Sequence, residues 1–208
     1  MGVGTLTFYD SMSGKIAALG HGISDSDLKE LIDVDEGFLN LASVISVTKG
    51  YKGSPGEIKG LLDDSVQIGE IELNNECGIY GDYEDESEFF RERKEVLVAS
   101  KNEIEIGPAT IYCNVEPNGK PKEYEIEIVK ISNSYGSKSK GMVIEVTDEE
   151  LLAKTGGIIQ GMSGSPIVQN GKFIGAVTHV YVNDPTRGYA IFGETMLEQI
   201  NGLEKEEV

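Results

Sequence analysis

Gly161-Met162-Ser163-Gly164-Ser165-Pro166-Ile167-Val168 is the stretch on which the reading of this chain turns. A serine between glycines on a tight turn can act as a nucleophile, because glycine lets backbone N–H groups converge on a developing oxyanion. It is not the G-x-S-x-G elbow that joins a strand to a helix: position 165 is serine, and no helical pattern comes after it. The chain continues instead with a strand, a turn at Asn170-Gly171, and another strand from Phe173 to Val182. The same texture extends outward. Tyr124-Glu125-Ile126-Glu127-Ile128 alternates apolar and polar with period two. Strand-like runs also occupy Thr5 to Phe8, Lys15 to Leu19, Leu41 to Val47, Val66 to Leu73, Glu95 to Ala99, Thr110 to Val115, Met142 to Val146 and Gly188 to Phe192. Turn punctuation separates them, as at Asp10-Ser11-Met12-Ser13-Gly14 and Lys52-Gly53-Ser54-Pro55-Gly56. Many short strands with glycine-rich turns read as an all-β sandwich or barrel. A soft boundary near Ser100 to Gly107 divides the chain into two units, 2–100 and 101–203.

Helical signal is sparse. Ser24 to Ile32 has a capping start followed by Leu28, Leu31 and Ile32. Glu194 to Leu203 puts Met196, Leu197, Ile200 and Leu203 on one face, which predicts a C-terminal helix packed on the strands. Glu86 to Lys94 suits helix or loop, and Asn133 to Lys140 reads as a loop. The dense charge of Asp82 to Glu95 reads as a solvated face.

Composition narrows the function classes. The 208 residues include 18 Lys plus Arg against 36 Asp plus Glu, for a net charge of −18. Such a surface repels a phosphate backbone, so no nucleic-acid partner is expected. It fits a basic partner or simple solubility. The 26 glycines, one residue in eight, well exceed the usual ~7% and suit barrel corners and bulges. Cys77 and Cys113 form no CxxC and read as two buried thiols. Two histidines and two separated cysteines give no zinc spacing, and neither metal nor cofactor is expected. Asp33-Val34-Asp35-Glu36-Gly37 resembles a calcium loop, but its glycine comes one place early and no glutamate stands at the twelfth position. No apolar run spans a membrane, and no signal peptide opens the chain.

Gly161 to Pro166 resembles the Gly-Asp-Ser-Gly-Gly-Pro nucleophile loop of chymotrypsin-like serine proteases, and the likeness runs on through Thr178. That resemblance implies a two-barrel fold with the active site between the barrels. It implies a supporting hydroxyl at Thr178 and a substrate-binding edge at His179-Val180-Tyr181. A narrower resemblance is to the stage IV sporulation protein B peptidases, signalling serine proteases of endospore-forming bacteria. It is carried by Gly4 to Asp10, Ala18-Leu19-Gly20-His21-Gly22-Ile23, Gln160 to Pro166 and Gly175 to Tyr189. Members of that family also carry a membrane anchor and a PDZ domain. Neither is visible here, so the chain is expected to be a piece of a longer exported protein.

A serine nucleophile needs a base, and only His21 and His179 are available. His21 follows a strand, is bracketed by glycines, and precedes Ser163, in the His-before-Ser order of chymotrypsin-like proteins. The sporulation family places its catalytic histidine at the same point. His179 is the competitor, on a strand after the nucleophile. For the acid, the family resemblance implies Asp148, in Val146-Thr147-Asp148, fifteen residues before Ser163. The alternative for Asp148 is to cap a helix opening at Glu149-Glu150-Leu151-Leu152. The N–H groups of Gly161 and Ser163 are the expected oxyanion hole. Ser165 shapes the turn, and Arg187 either pairs locally or lines a specificity pocket.

The expectation is a serine endopeptidase. The family resemblance further implies export to the space between mother cell and forespore. It also implies self-cleavage, and cleavage of a membrane-bound regulator of an intramembrane protease. The rival is an inactive peptide-binding module on a protease fold, taking peptide along Thr178 to Tyr181 by strand addition.

Overall fold

The computed structural model describes residues 2–25, 27–28, 30–83, 94–117, 119–132 and 137–206, with side chains through 203. Strands dominate, in two units. The first sheet holds β1 (Leu6–Asp10), β2 (Lys15–Ala18), β3 (Phe38–Thr48), β4 (Glu57–Asn75) and β5 (Gly78–Tyr83). Its order is β1-β2-β5-β4-β3 with antiparallel neighbours, which leaves it an open half-barrel. The second unit is a closed barrel of β6 (Gly107–Cys113), β7 (Lys122–Ile131), β8 (Met142–Val146), β9 (Pro166–Gln169), β10 (Lys172–Val180) and β11 (Arg187–Phe192). Its ring order is β10-β11-β8-β7-β6-β9.

Period-two alternation builds the barrel wall. In β7, Tyr124, Ile126 and Ile128 are buried while Glu123, Glu125 and Glu127 face solvent. Ile111, Ile144 and Ile167 from neighbouring strands complete the same core. Burying each such side chain stabilises by about 1.5–3 kcal/mol.

The two described α-helices serve different purposes. Helix α1 (Glu149–Thr155) follows β8 and ends at Gly156, whose φ of 74° is the left-handed C-terminal stop that glycine favours. Helix α2 (Gly193–Glu206) is the expected C-terminal helix. Its Met196 and Ile200 are fully buried against Ala17, Cys77 and Tyr80 of the first unit and Phe173, Ala176 and Ile191 of the barrel. One apolar face thus seals the seam between units. Cys77 lies in this seam and Cys113 in the barrel core, both as free thiols, and burial pushes both pKa values up, that of Cys113 to about 12.

Three segments depart from the sequence expectations. Ser24 to Ile32 forms no described helix. Ile32 N–H bonds to Ile23 O at 3.0 Å, and the Asn74 side chain clips Ile23 N–H, Ile23 O and Ile32 O at 2.8 Å each. These cross-links close a loop, and Leu28 stays 72% exposed because no apolar face receives it. Glu95 to Ala99 forms no strand beyond a bridge of Val98 to Phe173. The run Val66 to Leu73 is the middle of a much longer β4. Most of the Asp82–Glu95 charge run, most of Glu86 to Lys94 and half of Asn133 to Lys140 lie outside the described residues.

Candidate active site

Backbone conformation delivers the histidine. The chain leaves β2 through Leu19 and Gly20, at φ 68° and 71°. The left-handed region costs a non-glycine residue about 1–2 kcal/mol. Here Leu19 N–H bonds to Thr5 O at 3.2 Å and Gly20 N–H to Ala18 O at 2.8 Å, which offsets the strain at Leu19. A Cβ at Gly20 would meet Ile191 Cγ2 at 2.9 Å, so this turn needs glycine twice over.

The serine turn is built in the same way. Gly161 and Gly164 bracket Ser163 at φ 97° and 89°. A Cβ at Gly164 would lie 2.2 Å from Thr5 O and 2.7 Å from Leu19 N. The serine turn and the strand leading to His21 therefore pass at a separation only glycine permits. Thr5 fastens them: its N–H donates to Ser163 O at 2.8 Å, and its carbonyl accepts the Leu19 N–H.

Across this contact, His21 Nε2 and Ser163 Oγ are 3.0 Å apart. His21 Nδ1 is 2.9 Å from Gly22 O. A carbonyl only accepts, so the neutral ring carries its proton on Nδ1 and presents the Nε2 lone pair to the serine. Ser163 Oγ is also 2.9 Å from Thr178 O, so its single proton has two acceptors in reach.

Asp148 is elsewhere. It is the N-cap of α1, its Oδ1 accepting from Leu151 N–H at 2.9 Å and its Oδ2 reached by Glu125 N–H at 3.4 Å. Among the described hydrogen bonds and ion pairs it has none with His21. The structure thus brings His21 and Ser163 together and does not join Asp148 to them. The Thr178 hydroxyl donates to Ser139 O at 2.7 Å rather than to any acid. Ser165 is fully buried in the turn, its N–H on Met162 O. Arg187 pairs with Glu145 at 2.8 Å and lines no described pocket.

A cavity of about 280 Å³ opens on the pair. Its wall combines Ile158, Ile159, Gln160, Val180 and Val182 with the Thr178–His179 edge. β10 stays bonded to the serine turn through Val177, whose N–H donates to Ser165 O at 3.0 Å and whose carbonyl accepts from Gly164 N–H at 2.8 Å; Thr178 and His179 beyond it line the cavity. Tyr181 is not part of the lining; its N–H is taken by Arg187 O at 3.0 Å and its ring packs on Tyr189. The His179 ring lies 4.8 Å from that of His21. His179 is exposed, yet partial burial of its ring, then the charges of His21 and Lys140, push its pKa down to about 4. His179 is therefore neutral at physiological pH.

Sequence reasoning missed three contributors: the Gly22 carbonyl, Thr5, and the segment Gly56 to Ile58 beside Gln160. The glycines around His21 were the visible signal for the first. Thr5 acts through its main chain, and Gly56 to Ile58 hold Gln160 through theirs, so the hydrogen bonds themselves leave no mark in residue type.

An all-β fold of a closed barrel and a half-barrel sheet, with a serine hydroxyl in reach of an imidazole in a cleft, is that of a serine peptidase. Such an enzyme acts on protein substrates. The chain belongs to the SpoIVB peptidase S55 family, whose model matches residues 1–197. No curated protein matches it. Among solved structures it is similar to the inactive form of the Rv3671c protease, at 15% identity over 77% of this chain and 82% of that one, with TM-score 0.42. A second Rv3671c structure, from M. tuberculosis H37Rv, gives 14% identity over 78% and 66%, with TM-score 0.40. The HtrA-type protease AlgW with a tripeptide gives 14% over 97% of this chain and 56% of that one, with TM-score 0.47. No described helix is long and apolar enough to cross a membrane.

Proposed function

We propose that this peptidase is a sporulation signalling endopeptidase that cleaves itself and a membrane-bound regulator of an intramembrane protease. Its place of action is the space between mother cell and forespore. The family supports this reading, and a full-length protein bearing a membrane anchor and a PDZ domain belongs to it. Residues 2–100 form the unit that carries His21, and residues 101–203 the unit that carries Ser163.

The observation that carries the chemistry is the 3.0 Å contact of His21 Nε2 with Ser163 Oγ. His21 takes the serine proton as Oγ attacks a peptide carbonyl, forming the tetrahedral intermediate. It then gives that proton to the leaving amine, and water repeats the cycle on the acyl-enzyme. The oxyanion is received by the N–H groups of Gly161 and Ser163, neither of which has a partner among the described hydrogen bonds. Each such donor is worth on the order of 3 kcal/mol to the transition state. The substrate backbone lies along Thr178, His179 and Val180. An uncharged side chain enters the cavity, since Ile158, Ile159, Val180 and Val182 offer no charge to pair with another.

A fluorophosphonate probe tests the enzyme reading. Peptide mapping should find the adduct on Ser163 in the folded chain and none in Ser163→Ala. An unlabelled wild type would leave the inactive peptide-binding module standing. Self-cleavage is tested by incubating both proteins alone: new termini should arise in the wild type only.

A further inference from the structure

The Gln160–Gly161 peptide decides whether the oxyanion hole exists. Its N–H belongs to Gly161 and points at the hole only while its carbonyl, that of Gln160, points away. A rotation of this peptide would replace a donor with an acceptor and repel the oxyanion. A loop with Gly161 at φ 97° has little intrinsic resistance to such a rotation. Something outside the loop has to hold it.

That hold comes from the tip of the β3–β4 hairpin, which crosses from the first unit and grips Gln160 on both sides. Ile58 N–H donates to Gln160 O at 2.8 Å, and Gln160 N–H donates to Gly56 O at 2.9 Å. Glu57 and Gln160 thereby form a short parallel bridge. The Ile58 side chain is buried in the barrel core, and a Cβ built on Gly161 would sit 2.9 Å from Ile58 Cβ. Gly161 is thus backed by a branched side chain as well as pinned through its neighbour. The same tip reaches the far wall of the cavity, where Gly53 N–H donates to Val182 O at 2.7 Å. Gly50 N–H is anchored on Thr155 O at 2.8 Å. The tip therefore fixes its own position on the barrel before it acts on Gln160.

Gly56 is the residue on which this packing depends. A Cβ there would stand 2.1 Å from Thr48 O and 2.5 Å from Gly50 N, both backbone atoms that cannot swing aside. Any side chain at 56 must displace the carbonyl that holds Gln160.

We propose that Gly56 and Ile58 are positioning residues for peptide hydrolysis: the β3–β4 tip holds the Gln160 carbonyl out of the oxyanion hole and keeps the N–H groups of Gly161 and Ser163 aimed at the transition state. This rests on the serine peptidase reading above, with Gly161 and Ser163 as its oxyanion donors. It also makes the catalytic site of the barrel dependent on a hairpin that belongs to the other unit.

The test uses Gly56→Ala, Ile58→Ala and Ile58→Val, each checked for folding by circular dichroism and thermal melting. A fluorogenic peptide gives kcat and KM, and the matching peptide aldehyde, which forms a tetrahedral adduct, reports on the hole. Gly56→Ala and Ile58→Ala should lose about 100-fold or more in kcat, as for loss of one oxyanion donor. KM should stay within about threefold, the aldehyde should weaken in parallel with kcat, and the midpoint of the pH–rate profile should not move. Ile58→Val keeps the branched Cβ and should retain wild-type turnover. Should Gly56→Ala not fold, the Ile58 pair carries the same comparison. Folded variants with wild-type kcat and aldehyde affinity overturn the proposal, as does a loss of rate with a displaced pH profile, which would place the defect at His21. A wild type that hydrolyses no peptide and binds no aldehyde overturns the peptidase reading itself.

Discussion

The Nδ1–H of His21 donates to the carbonyl oxygen of Gly22, its neighbour in sequence, across 2.9 Å. That bond selects the tautomer in which Nε2 can accept the Ser163 proton, the task a carboxylate performs in a three-residue site. The carboxylate implied by family resemblance, Asp148, instead caps α1 through Leu151 N–H. In this geometry Asp148 caps a helix and shares no described hydrogen bond or ion pair with His21. Asn caps a helix about as well as Asp. Asp148→Asn should keep kcat/KM within about tenfold of wild type, whereas Asp148→Ala should lose about 1 kcal/mol of stability with its cap. Steady-state kinetics and thermal melts on the two variants decide the matter. A loss near 10⁴-fold in Asp148→Asn, the size associated with removing a triad Asp, would return the acid's role to it.

The two histidines should separate cleanly. His21 Nε2 is 3.0 Å from Ser163 Oγ, while the His179 ring packs on that of His21 at 4.8 Å. His21→Ala should lose on the order of 10⁴-fold or more in kcat, because no other described base reaches Ser163. His179→Ala removes a cavity wall and a support for the ring, and should retain a measurable fraction of turnover. Peptide hydrolysis rates for the pair check the ranking, and the reverse order would exchange the roles of the two residues.

Much of this was legible in the chain. The alternation of Tyr124 to Ile128 fixed a barrel strand, and the Met196–Ile200–Leu203 stripe fixed α2. Ser163 and His21 were visible because glycines bracket both, and glycine is demanded wherever two backbones must touch. The half-barrel was harder to see. Gly78 to Tyr83 carries two small glycines and no alternation, so β5 left little pattern although it sits between β2 and β4. Ser24 to Ile32 misled for a tertiary reason: Asn74, some forty residues on, supplies the hydrogen bonds that a helix would have made internally. Asp148 stayed open in the chain, since an aspartate before Glu149-Glu150-Leu151 suits both capping and catalysis, and the fold places it at a helix start.

Gly164 offers a direct measure of how tightly the two catalytic segments are joined. Its φ of 89° and the 2.2 Å approach of a would-be Cβ to Thr5 O both exclude a side chain. Gly164→Ala combines backbone strain of about 1–2 kcal/mol with overpacking of about 1–3 kcal/mol. A melting temperature lower by roughly 10 °C is expected for a chain of this size. The substitution also separates Ser163 from His21, so turnover should fall even at temperatures where the variant is folded. A variant that melts and cleaves like wild type would mean that the Thr5–Ser163 contact is not held in solution.

His179 should leave its mark on stability at acid pH. Its folded-state pKa is pushed down from 6.5 to about 4, first by packing and then by the charges of His21 and Lys140. Between those two values the unfolded chain binds a proton that the folded chain refuses. Stability therefore rises with pH through that window and falls as pH drops from about 6.5 towards 4. Solvent around the exposed ring keeps the effect small. His179→Gln keeps a polar side chain at the site without the titration. Urea unfolding at about pH 5 and about pH 7.5 should show a smaller acid loss in His179→Gln than in wild type. Equal losses in the two proteins would mean that His179 protonates as readily in the folded chain as in the unfolded one.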